Sequence, residues 1–168
     1  SVCVNVCGDG VQNGDETGVD CGGRCVVACG ETASLSLGGA HSCALTYGGD
    51  IKCTGQIEAT YAGPFTQISA GSFAVCGLKQ NGEIECFGLD NDLTGTYAGP
   101  YTKVTCGGFN VCGLTPNGVI ECFGYAQSGL LSEPAGEFID VDVGVFHACA
   151  QRADGTATCW GSNDRNAA

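Results

Sequence analysis

Four oxygen-bearing side chains, Asp9, Asn13, Asp15 and Asp20, take positions 1, 5, 7 and 12 of a loop with Gly14 at position 6. Hard divalent cations select cages of carboxylate and amide oxygens, and a glycine at the sixth position permits the sharp turn such a cage needs. The four are candidate calcium ligands. Val11 occupies a position that usually ligates, the last ligand is Asp rather than Glu, and no flanking helices are evident. A solvated acidic turn is the other reading of the same residues. No further cofactor is expected.

Other chemistry is sparse. The two histidines, His41 and His147, fall at equivalent points of a repeat described below, which favours a structural role for both. Neither a Gly-x-Ser-x-Gly nucleophile elbow nor a phosphate-binding glycine loop is present. The acidic pairs Glu83/Glu85 and Asp140/Asp142 alternate along expected strands and read as a solvated outer face rather than a glycosidase pair. The chain is expected not to be an enzyme.

The elements that position these residues are announced by cysteines. Cys43/Cys53, Cys76/Cys86, Cys112/Cys122 and Cys149/Cys159 share one spacing and recur every 33 to 37 residues, about the period of a propeller or solenoid repeat. Each pair brackets a turn dipeptide: Gly48-Gly49, Asn81-Gly82, Asn117-Gly118 and Asp154-Gly155. Such dipeptides are strong signals for a two-residue hairpin turn. Counting outward, Leu45/Ile51, Leu78/Ile84, Leu114/Ile120 and the weaker Gln151/Ala157 fall opposite one another, on the same face as the cysteines. The spacing predicts a disulfide across each hairpin. Zinc is a poor match, because its cysteine ligands are closely spaced.

Ahead of each hairpin lie a short alternating strand and a glycine, Gly38, Gly71, Gly107 or Gly144, expected to bend the chain through a positive φ. Tyr61, Tyr97 and Tyr125 follow the hairpins and share one expected rim. They serve either as loop packing or as a stacking platform for apolar sugar faces. The expected organisation is an N-terminal Cys/Asp-rich module over 1–31 and four repeats over 32–64, 65–100, 101–137 and 138–168.

Composition bounds the partners. Fourteen cysteines in 168 residues, about 8%, point to a disulfide scaffold in an oxidising compartment, extracellular or at the cell surface. Ser1 opens no basic and apolar leader, so any signal peptide is expected to be already removed. No apolar run is long enough for a spanning helix, and membrane insertion is not expected. A net charge of −12 with six Lys and Arg repels nucleic acid. Glycans, cations and other copies of the chain are the partners that remain.

The run Gly71-x-Phe73-x-x-Cys76-Gly77-Leu78 through Gly82-x-Ile84-x-Cys86-Phe87-Gly88 resembles repeats of the regulator of chromosome condensation family, in its cysteine-containing secreted variety. Copy four, Gly144-Val145-Phe146-His147-Ala148-Cys149 to Cys159-Trp160-Gly161, carries the most detailed resemblance. The resemblance implies an all-β chain of four short antiparallel propeller-like repeats, a partial or small β-propeller. Family propellers usually have seven blades, so four repeats would close as a small ring, stay an open stack, or be completed by neighbouring subunits. Nothing here matches the family's nucleotide-exchange or histone-binding residues.

Residues 1–31 resemble small Cys/Asp/Gly-rich segments beside repeats in secreted bacterial proteins. Their Cys3, Cys7, Cys21, Cys25 and Cys29, with Cys106, suggest three further bridges, one tying the module to the third repeat; a bridge from Cys106 to another chain is the alternative. The functional expectation is a non-enzymatic extracellular structural protein that self-assembles into a filament or surface polymer, with residues 1–31 as the connector between copies. The alternative is a lectin-like carbohydrate-binding propeller.

Overall fold

The computed structural model describes residues 32–89, 93–126 and 129–162. The candidate calcium ligands Asp9, Asn13, Asp15 and Asp20 lie outside them. So do the five N-terminal cysteines.

Four antiparallel sheets follow one another along the described residues, each with its strands in sequence order. The first holds β1 (Thr32–Leu37), β2 (His41–Thr46), β3 (Ile51–Gly55) and β4 (Ala59–Tyr61). The second holds β5 (Phe65–Ala70), β6 (Ala74–Lys79), β7 (Ile84–Gly88) and β8 (Gly95–Tyr97). The third holds β9 (Lys103–Cys106), β10 (Asn110–Leu114) and β11 (Ile120–Gly124), and the fourth β12 (Asp140–Val143), β13 (His147–Gln151) and β14 (Ala157–Gly161). Each sheet is a blade of an all-β, propeller-like array.

The hairpin at the centre of each blade forms as its turn dipeptide requires. Gly49, Gly82, Gly118 and Gly155 take φ of 85°, 85°, 77° and 86°, a region open to glycine and strained for other residues. In the second and fourth turns a side chain closes the loop, Asn81 accepting from the Glu83 N–H at 3.1 Å and Asp154 from the Thr156 N–H at 2.9 Å. The turn fixes the register, so Leu45 faces Ile51, Leu78 faces Ile84 and Leu114 faces Ile120. Two residues further out Cys43 faces Cys53, Cys76 faces Cys86, Cys112 faces Cys122 and Cys149 faces Cys159. All four pairs are joined as disulfides.

The core lies between blades rather than within them. Cys43, Leu45 and Ile51 of the first blade pack on Phe65 and Val75 of the second. Cys76, Leu78 and Ile84 of the second pack on Tyr101, Val104 and Val111 of the third. Cys112, Leu114 and Ile120 of the third pack on Phe138, Val141 and Ala148 of the fourth. The disulfide-bearing face of each blade is thus covered by the opposite face of the next. Burying one such aliphatic side chain contributes roughly 1.5–3 kcal/mol.

Shared register does not give the cysteines equal burial, and Cys53 departs from the uniform face that its spacing implies. Cys86 and Cys122 are buried, but Cys53 is only half-buried and packs at the margin of the first cluster. The residue after it is Thr54, where the next two blades carry Phe87 and Phe123. Cys53 is therefore a disulfide partner at the rim of the core, while Cys43, at 1% exposure, lies inside it.

The four glycines ahead of the hairpins play a different part from the expected one. None of Gly38, Gly71, Gly107 and Gly144 has a positive φ. Gly38, Gly71 and Gly107 are glycines because neighbouring blades approach too closely for a side chain. A Cβ on Gly38 would stand 2.4 Å from the Gly71 carbonyl oxygen, one on Gly71 2.0 Å from that of Gly107, and one on Gly107 2.1 Å from that of Gly144.

Candidate functional site

Blades are coupled by a repeated set of hydrogen bonds. The residue after each of these glycines donates its N–H to the corresponding carbonyl of the next blade: Gly39 to Gly71 at 3.0 Å, Ser72 to Gly107 at 3.1 Å and Gly108 to Gly144 at 3.3 Å. Beside them, Ser36, Ser69 and Thr105 accept the N–H of Ala70, Cys106 and Val143 at 2.8, 2.9 and 3.3 Å. At the outer end, the hairpin-turn carbonyls of Gly49, Gly82 and Gly118 accept from Phe65, Tyr101 and Phe138. Every junction therefore offers the same donors and acceptors in the same order.

At the two ends of the array this pattern has no partner among the described residues. Val104 and Cys106, and after them Val141 and Val143, are 1–8% exposed because each pair lies against the preceding blade. The equivalent Leu35 and Leu37 of the first blade are 71% and 74% exposed. At the opposite end, Gly155 is exposed, whereas the equivalent Gly49, Gly82 and Gly118 are buried. Cys159 is exposed as well, where Cys53 is half-buried and Cys86 and Cys122 are buried. These two faces, one at each end, are the main candidate interaction surfaces of the described residues.

A third surface is an aromatic row. Phe73, Phe109 and Phe146 stand one per blade at the loop between the first two strands, with ring centroids 5.1 Å and 5.8 Å apart in turn. Tyr125 adjoins Phe109 at 6.1 Å. Phe73, Tyr125 and Phe146 are 38–45% exposed. Ala40 takes the equivalent place in the first blade.

The tyrosine platform divides. Tyr61 stacks on Phe87 at 3.8 Å and Tyr97 on Phe123 at 4.3 Å, each across a blade junction. One ring face of each is thereby covered, so these two tyrosines are packing residues and only Tyr125 joins the exposed row. In the sequence, the aromatic after the second cysteine of the following repeat marks the residue that covers them.

Among the described residues Cys106 has no disulfide partner, and its thiol is buried; the cysteines expected to pair with it, Cys3, Cys7, Cys21, Cys25 and Cys29, lie outside them. Cys106 occupies the register of Leu37, Ala70 and Val143, so it serves as a small apolar side chain facing the second blade. Burial pushes its pKa up to about 12, against a smaller opposing effect of the Gly71 backbone. Such a thiol is poorly reactive.

Three of the four residues of the acidic pairs engage basic or hydroxyl partners. Glu85 pairs with Lys79 at 2.6 Å and Asp140 pairs with Lys103 of the third blade. Asp142 accepts from the Thr105 hydroxyl at 3.0 Å, again across a junction. Among the described residues no group of three His, Cys, Asp or Glu could hold a metal ion, and no helix is long and apolar enough to cross a membrane.

His41 is buried against Gly38, and its Nε2 has no hydrogen-bond partner among the described residues. Burial lowers its pKa below the usual 6.5, with a smaller raising effect from the Ala74 backbone. The unfolded chain therefore takes up this proton first, and stability falls as pH drops below about 6.5. Asp140, held low by Lys103, acts in a separate, more acidic window, losing its contribution as pH falls through its depressed pKa. The third blade has Asn110 at the His41 position. We expect His41→Asn to flatten the loss of stability between pH 7.5 and 5.5, read from urea midpoints. An unchanged slope would show that His41 does not carry it.

Comparison with known proteins agrees with this geometry. The regulator of chromosome condensation (RCC1) repeat matches residues 138–167. None of the curated protein sequences matches the chain. The ectodomain of the Physcomitrella patens receptor kinase CR4 superposes with a TM-score of 0.70 at 28% identity, over 77% of this chain and 41% of that one. The CRINKLY WD40 ectodomain of the Arabidopsis thaliana receptor kinase ACR4 superposes at 0.68 and 25% identity, over 80% and 52%. Prp20p of Saccharomyces cerevisiae, at 18% identity and a TM-score of 0.63, shares the fold. The chain thus spans about half the length of these structures. The described residues form an RCC1-like β-propeller array, and the stapled hairpins and ectodomain neighbours are consistent with an extracellular location.

Proposed function

We propose that this chain is a non-enzymatic extracellular structural protein whose copies associate into a filament or surface polymer. The observation that carries the reading is the pair of uncovered end faces, above all Leu35 and Leu37 standing in solvent where Val104, Cys106, Val141 and Val143 are core. Repeat arrays need caps or partners at their ends, and head-to-tail contacts that do not close on themselves propagate into filaments. In this reading residues 1–31 form a distinct module whose Asp9, Asn13, Asp15 and Asp20 bind calcium, beside four repeats over 32–168.

A second reading, glycan binding, is favoured by the aromatic row in which Phe73, Phe146 and Tyr125 are exposed around a half-buried Phe109, since aromatic faces suit apolar sugar faces. Light scattering and electron microscopy of the purified chain separate the two. The measurement belongs at physiological salt, where the Debye length of about 8 Å screens the repulsion between chains of charge −12. Mass that rises with concentration, with fibres on the grid, is the expected result. A dispersed monomer at every concentration overturns the assembly reading. Glycan binding would then be tested by titrating neutral oligosaccharides against the wild type and Phe109→Ala.

A further inference from the structure

We infer that one copy docks on the next through the same register that joins blades inside the chain, with the last blade of one copy covering the first blade of another. The inference rests on the assembly reading above and names its contact. The occupant is a second copy because each open end presents one half of a junction that the chain forms internally three times.

The donors and acceptors follow from the internal pattern. The N–H of Val145 meets the Gly38 carbonyl of the incoming copy, as Gly39, Ser72 and Gly108 meet Gly71, Gly107 and Gly144. Asp142 stands at the position of Ser36, Ser69 and Thr105, so its carboxylate receives the N–H of the incoming Leu37. A carboxylate acceptor makes that bond charge-assisted, and roughly twice as strong as a neutral one. Leu35 and Leu37 then gain the cover that Val104, Cys106, Val141 and Val143 have.

Four side chains at this junction also differ from the internal ones. On the last blade, Gln151 and Ala157 replace the Leu/Ile pair. On the first, Thr32 and Thr54 stand where the later blades carry aromatics such as Phe65 and Phe87. At these four positions the contact is smaller and more polar than an internal junction, while Leu35 and Leu37 keep an apolar part. A contact of that composition leaves each copy soluble and makes association a separate, concentration-dependent equilibrium.

The glycine of the last blade provides the test. A Cβ on Gly144 would meet nothing of another blade among the described residues, its nearest atom being the His147 ring at 3.0 Å. In a docked pair that Cβ would point at the incoming Gly38 carbonyl, which internal geometry places 2.0–2.4 Å away. Gly144→Ala is therefore expected to leave the monomer folded, with an unchanged circular dichroism spectrum, and to raise the concentration at which copies associate by about tenfold or more. Leu37→Asp, at a side chain 74% exposed in the single copy, gives the same result by an independent route and serves if the alanine variant fails to fold. Sedimentation velocity on the full chain measures both. If the wild type associates and both variants associate equally well, the register is wrong while assembly stands, through residues 1–31 or the aromatic row. If the wild type stays monomeric, the assembly reading itself fails, and this inference with it.

Discussion

Gly107→Ala is expected to lower stability by about 3 kcal/mol or more, the upper end of what overpacking costs, and to lower Tm by about 10 °C. The added Cβ would stand 2.1 Å from the Gly144 oxygen and 2.6 Å from a Val143 methyl carbon. The oxygen belongs to the backbone of the next blade and already accepts the Gly108 N–H. It can retreat only if the whole blade does, and the junction burying Cys112, Leu114 and Ile120 opens with it. Gly71→Ala is expected to behave alike, because its Cβ would meet the Gly107 oxygen at 2.0 Å and the Cys106 sulfur at 2.8 Å. Gly144→Ala in the same series should cost far less. Thermal melts followed by the single tryptophan, Trp160, check the order. Trp160 bridges the third and fourth blades through its Nε1–H to the Leu130 carbonyl at 2.9 Å, so its emission reports on that junction. Equal melting temperatures across the three variants would contradict the close-approach role.

The same residues show where sequence reasoning reaches and where it stops. The hairpins were legible because their determinants are local: a turn dipeptide, period-two alternation and a cysteine pair at constant spacing all specify one register. The role of Gly71 and Gly107 was not, because a close approach between blades lies in the tertiary arrangement, while a positive φ is the usual local reason for a glycine. Cys106 shows a related limit. Counting cysteines assigns it a partner but not a place, whereas the register puts it in a small apolar position also held by Ala70 and Val143. Constant spacing likewise paired Cys53 with Cys43 but could not show that Cys53 is less covered than Cys86 or Cys122, since cover is supplied by other segments. Tyr61 and Tyr97 were legible as aromatic repeats but not as covered ones, since their stacking partners belong to the following blade. The end faces were foreseen only as unsatisfied ends. That Leu35 and Leu37 form one of them follows from the register that makes Val141 and Val143 core.

Removing a disulfide should have an effect graded by position. Closing an 11-residue loop stabilises by about 2.8 kcal/mol in the chain-entropy model, the same for all four because the sequence separation is 10 in each. What differs is the surroundings. Cys76 and Cys86 are 0% and 2% exposed and belong to the core between the second and third blades, so replacing both by alanine also leaves a void where the sulfurs packed. The expected total for that pair is about 4 kcal/mol or more. Cys149 and Cys159 lie on the uncovered face, and their loss should approach the loop-closure value alone. Exposure also sets the order of reduction, since a thiolate must reach a sulfur to exchange with it. Under mild dithiothreitol, with trapping and mass spectrometry, Cys149–Cys159 is expected to open first and Cys76–Cys86 among the last. Cys43–Cys53 should fall between them, because Cys53 is half-buried while Cys43 is enclosed. Docking of a second copy on the uncovered face would then slow reduction of Cys149–Cys159 in assembled material while leaving the order of the others unchanged. Reduction of all four at one common rate would instead mean that opening follows global unfolding, and that the uncovered face offers no local access.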